Sequence, residues 1–238
     1  MQVGKSIPGF ALLAAALIVA GVTGTARAHD EPAEMPEQAP LGDFEYEPPQ
    51  PGSYHLPVIR RAPDGQVVDI EGRPQSLATL LADRIVVLSL IYTACETECP
   101  LGTSALYDLY YASAEDPELV QRVKLISLSF DPERDTPDAM ASYGYAALAE
   151  AEGKCPWDFL TTASRRELDP ILQGFGQVVD REPPGRAVSG TINHLLRVYL
   201  IDRRGAIRNI YGLGFLDPRL LLADIRTLLM EEQAAKGL

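Results

Sequence analysis

Apolar and polar positions alternate along the chain in a way that predicts a run of short strands and helices. Arg84-Ile-Val-Val-Leu-Ser-Leu-Ile-Tyr92 is an almost unbroken apolar, β-rich run, the pattern of a strand buried on both faces. Val123 to Phe130 repeats it, Phe159-Leu-Thr-Thr is a shorter version, and Leu195 to Asp202 predicts another strand, turned by Arg203-Arg204-Gly205 into Ala206 to Tyr211. Between them the spacing becomes helical. Ser76 to Ala82 and Pro100 to about Ala114 read as helices, the second turning Leu101, Leu106, Leu109 and Tyr110 inward. Thr136-Pro137 and Ser164 with Glu167 supply helix starts, and Asp217-Pro218 opens a terminal helix to about Glu232. VIRRAPDGQVVD predicts an N-terminal hairpin around Pro-Asp-Gly. The alternation implies an α/β, three-layer domain spanning residues 54–238.

The residues before it have another character. Phe10 to Val22 is an apolar run of 13 residues preceded by Lys5 and followed by Ala26-Arg27-Ala28, the layout of a secretory signal over 1–28 with His29 as first mature residue. The run is short of the roughly 20 residues of a membrane helix, so cleavage is the expectation and an uncleaved membrane anchor the lesser alternative. Residues 29–53 hold six prolines and seven acids and read as an extended tether. Export implies an oxidising compartment such as the periplasm, where thiols pair. The formal charge is −12, which disfavours nucleic acid and anionic lipid as partners, and there is no nucleotide-binding glycine loop.

The chemistry concentrates in IYTACETECPLG, residues 91–102. Cys95 and Cys99 stand four apart where a buried strand gives way to a helix, a position at which α/β folds commonly expose functional groups. Positions i and i+4 share a helix face, so both sulfurs reach one ion, or one another. Spacing alone leaves a metal site, a redox pair and a structural disulfide open. Glu96 and Glu98 raise the neighbouring thiols' pKa and attract a cation. Of the three histidines, His29 and His55 lie in or beside the tether, whereas His194 stands in GTINHLLRVYLID at the entry to an apolar strand. If that strand adjoins the cysteine strand, an imidazole joins two thiols, a set suited to copper. Asp131 follows a buried strand at the same sheet edge and is a candidate to orient the site or a partner. Asp135 reads as a loop and cap residue, and Cys155 as a small buried residue or free thiol.

YTACETECP, SFDPERDTPDAMASY, WDFLTT and NHLLRVYLIDRRGAI together resemble the Sco/SenC family over roughly residues 54–232. The resemblance implies a thioredoxin-like fold with a central mixed sheet. It also implies one copper ion held by Cys95, Cys99 and His194, and a role in assembling the binuclear copper centre of cytochrome c oxidase. Its partners would be a copper-receiving oxidase subunit or other copper enzyme and a thiol reductant protein. An alternative within the resemblance is thiol-disulfide exchange on a partner's cysteines, using Cys95 and Cys99 alone. The chain departs from the family pattern at Ala94, at Glu96-Thr97-Glu98 and at Asn193, none of which removes a ligand.

Overall fold

The strand that leads into the cysteines lies in the middle of the sheet. In the computed structural model, which describes residues 44, 46–95, 98–181 and 192–236, three short strands come first: β1 (Arg60–Arg61), β2 (Gln66–Val68) and β3 (Pro74–Ser76). Helix α1 (Leu77–Leu80) follows, capped by the Ser76 hydroxyl. Strand β4 (Ile85–Ile91) is buried at all its positions, as a continuous apolar run requires when both sheet faces are covered. Helices α2 (Glu98–Ser113) and α3 (Pro117–Arg122) lead to β5 (Val123–Ser129). Next come α4 (Pro137–Tyr143), α5 (Tyr145–Ala149), β6 (Trp157–Leu160) and α6 (Arg165–Phe175). The chain continues through β7 (Val179–Arg181), β8 (Ile192–His194), β9 (Val198–Ile201) and β10 (Ala206–Tyr211) to α7 (Pro218–Lys236).

Six strands form one mixed sheet in the order β1-β10-β9-β4-β5-β6. Strands β4, β5 and β6 are parallel, joined by helical crossovers, and β9 runs antiparallel to β4. Successive residues of a strand point to opposite faces. Val87 pairs with Leu125 and Leu125 with Trp157, which packs on Tyr107 of α2 at 4.8 Å between ring centres. Leu88 pairs with Tyr199, whose ring lies 4.7 Å from Phe175 of α6. Helices α2 and α6 therefore cover opposite faces, giving the three layers expected.

The element boundaries contain corrections. The two strands expected around Pro-Asp-Gly are present as β1 and β2 but do not pair with each other: β2 forms a hairpin with β3, and β1 joins the edge of the main sheet beside β10. The capping hydroxyls of Thr136 and Ser164 accept from Ala139 and Glu167 N–H as the sequence predicts. The strand expected from Leu195 begins at Val198. His194 instead ends β8, paired with β7 in a separate two-stranded sheet, because residues 195–197 must turn from one sheet into the other. Helices α3 and α5 are short segments whose periodicity is too brief to read. Part of the stretch expected to be tether lies along α7: Gly52 N–H donates to Thr227 Oγ1 at 3.0 Å, and Arg219 donates to the Tyr46 carbonyl at 3.3 Å. The expected signal segment, His29 and Glu96 lie outside the described residues.

Candidate metal centre

Three segments deliver three candidate ligands to one end of the sheet. Strand β4 ends at Ile91, and the chain makes a turn in which Cys95 N–H donates to the Tyr92 carbonyl at 3.2 Å. Helix α2 begins at Glu98, so Cys95 precedes it and Cys99 lies in its first turn. This differs from a shared helical face. The pair converges instead because the Cys99 N–H, one of the helix's unsatisfied first donors, points at Cys95 Sγ at 3.3 Å. His194 arrives from β8, immediately before the chain enters β9 beside β4, and its Nε2 lies 3.7 Å from Cys99 Sγ. One ligand atom from each of Cys95, Cys99 and His194 falls within 4.8 Å of the others.

The surroundings are mostly dry. Both cysteines are buried, at 9% and 1% exposure, whereas His194 is half-buried and marks the open side. The imidazole is wedged edge-on between Phe130 at 4.8 Å and Tyr92 at 5.7 Å, both buried rings at the ends of the central strands. Exposed Leu195 follows His194 directly. On the other side stands Tyr143 of α4, whose hydroxyl meets Thr103 Oγ1 at 2.5 Å. Burial pushes that phenol up to about 12, with negative charge on Cys99 and Cys95 acting in the same direction. Tyr143 is thus close enough to feel both sulfurs.

Asp131 and Asp135 divide differently from expectation. Asp131 is buried, and its carboxylate meets Arg134 Nε at 3.3 Å; among the described residues it does not join the cysteine–histidine group. Asp135 does more than begin a helix, since the helix cap is Thr136. Its buried carboxylate accepts from Thr93 N–H at 3.0 Å, from the Thr93 hydroxyl at 2.5 Å and from the Ser129 hydroxyl at 2.5 Å. It therefore ties the cysteine-bearing turn to the end of β5. Sequence reasoning missed this role, along with those of Thr93, Thr103 and Tyr143, because each depends on a contact across the fold. The available signal was the position of Asp135 just after a second buried strand. His55 sits elsewhere, exposed, with its ring nitrogen 3.2 Å from Glu231. Cys155 is a buried free thiol, raised in pKa by burial and remote from the cluster.

Fold and site together define a thioredoxin-like α/β protein with two thiols and an imidazole gathered where a central strand gives way to a helix. A family model described as SCO1/SenC matches residues 63–230, and the chain belongs to that family. It is 29% identical over 144 residues to a SCO1 protein homolog of Bacillus subtilis, covering 60% of this chain and 68% of that one. Among solved structures it resembles BsSco, described as a member of the Sco family of cytochrome c oxidase assembly proteins with a disulfide switch. That likeness has 25% identity, TM-score 0.57, and covers 74% of this chain and 98% of the other. It also resembles Arabidopsis thaliana ScoI with copper bound, at 18% identity and TM-score 0.59, covering 71% and 98%.

Proposed function

We propose that this protein binds one copper ion through Cys95, Cys99 and His194 and assists assembly of the copper centre of cytochrome c oxidase or a related copper enzyme. The observation that carries the reading is the convergence of two sulfurs and one imidazole nitrogen within 4.8 Å. Thiolate and imidazole together are a soft set that suits copper(I) and also holds copper(II). Copper bound to a Sco protein of similar fold supports the choice of ion. Transfer proceeds by ligand exchange from the half-buried His194 side, with a thiol of the receiving oxidase subunit replacing a ligand. The work is done in an exported compartment, the periplasm, reached by a cleaved signal over residues 1–28.

A second reading has its own support in the disulfide switch identified in BsSco. Cys95 and Cys99 then reduce a partner's disulfide: their two thiols lose two electrons and two protons to become a disulfide, and the partner's disulfide becomes a dithiol. A thiol reductant protein restores the pair. The two readings are compatible, because ligating sulfurs must be deprotonated and reduced.

Reduced mature protein supplied with copper(I) and desalted is expected to retain about one ion per chain, the number one three-ligand site holds. Oxidised protein, with Cys95 and Cys99 joined, is expected to retain none. Metal analysis finding no copper on the reduced protein would overturn the copper reading and leave thiol exchange.

A further inference from the structure

The two cysteines ride on different supports, and one segment grips both. Cys95 sits on the exit turn of β4, two residues after Thr93, and Thr93 gives both its N–H and its hydroxyl to Asp135. Cys99 sits in the first turn of α2, one helical turn before Thr103, and Thr103 meets the Tyr143 hydroxyl. Asp135 and Tyr143 are the two ends of residues 135–143, a cap and a two-turn helix. The Asp135 end is itself fixed: its N–H donates to the Asp131 carbonyl at 2.8 Å, and Asp131 N–H donates to Ser129 Oγ at 2.9 Å. The acidic group is 1% exposed with three donors on it, so moving it would strand a buried charge.

From this the geometry points to residues 135–143 as a two-ended clamp that holds Cys95 and Cys99 at the separation of an open dithiol chelate, with Asp135 and Tyr143 as positioning residues. The direction of the effect follows from bond lengths. A disulfide needs its sulfurs about 2 Å apart, whereas two sulfurs on one ion, each with a bond of about 2.3 Å, stand further apart. A frame that resists closure opposes the disulfide and favours the ion. Loosening either end therefore has two linked consequences: weaker copper(I) binding and easier disulfide formation. The copper half rests on the proposed function above; the disulfide half stands without it.

The test uses Thr93→Val, Thr93→Ser, Tyr143→Phe and Asp135→Asn in the full mature chain. Copper(I) affinity is measured by chelator competition, and the dithiol–disulfide equilibrium in dithiothreitol buffers without metal. In those buffers the protein disulfide gains two electrons and two protons as dithiothreitol becomes its cyclic disulfide. Thr93→Val and Tyr143→Phe are each expected to lower copper affinity about tenfold, the lower range for supports of metal ligands. Each is expected to shift the equilibrium toward the disulfide, a tenfold shift being about 30 mV for this two-electron couple. Thr93→Ser, which keeps the hydroxyl, is expected to recover most of both. Wild-type affinity and equilibrium in Thr93→Val and Tyr143→Phe would overturn the clamp, even with a lowered melting temperature, and so would a shift toward the dithiol. If Asp135→Asn fails to fold, the threonine and tyrosine variants decide. If wild-type protein binds no copper, the copper reading falls, while the metal-free equilibrium still decides the clamp.

Discussion

His194 is the residue on which the two uses of the thiol pair part company. Its Nε2 faces Cys99 Sγ, and its ring is held by Phe130 and Tyr92, so it belongs to the site whatever the site does. A copper site loses one of three ligands when it is removed; a thiol exchanger loses nothing chemical. His194→Ala is expected to weaken copper(I) binding at least tenfold, as removal of a first ligand costs no less than loss of its support. The Cys95–Cys99 disulfide should still form. Chelator competition alongside thiol trapping reads both, and equal copper affinity would make His194 a packing residue. Cys155→Ala should leave copper binding unchanged, since the buried thiol stands apart from the cluster. The grouping of Cys95, Cys99 and His194 was legible because thiol and imidazole carry their own chemistry wherever they stand. Thr93 and Asp135 were not, because a hydroxyl and a carboxylate in a loop look alike whether they face solvent or grip a neighbouring loop.

His194 is carried by a pair of three-residue strands outside the main sheet. Helix α6 ends at Phe175 and is capped by Gly176, whose φ of +68° is the left-handed conformation that favours glycine. This turn sends the chain into β7, which pairs Val179 with His194. A Cβ at Gly176 would also lie 2.8 Å from Arg60 Nη2, which donates to the Phe175 carbonyl. Gly176→Ala is expected to destabilise the protein by about 1–2 kcal/mol from backbone strain alone, read by urea unfolding. It should also perturb the histidine's seat more than the cysteines'. The buried strands β4 and β5 were readable from their apolar runs. The pairing of β7 with β8 was not, because it joins three-residue segments with no periodicity and lies apart from the main sheet. For the same reason the sequence predicts His194 at the mouth of a long strand, and the structure has it one short strand earlier.

At the scale of the whole molecule, several carboxylates are held in their charged form. Backbone N–H groups of Ala78 and Gly65 lower the pKa of Asp64, and at Asp217 the upward push of burial is outweighed by Arg219. A depressed folded pKa contributes stability that is complete above the unfolded value, about pH 4, and is lost as pH falls through the folded value. Thermal melts should therefore hold steady down to about pH 4 and fall in more acid solution; a melting temperature that rises on acidification below that point would contradict the assignment. X-ray absorption at the copper edge of the copper(I)-loaded protein reads the atoms that hold the ion. Two sulfurs and one nitrogen are expected around the ion, with the nitrogen lost in His194→Ala and a sulfur lost in Cys95→Ser or Cys99→Ser. A shell without sulfur, or one unchanged by all three substitutions, would contradict the three-ligand site.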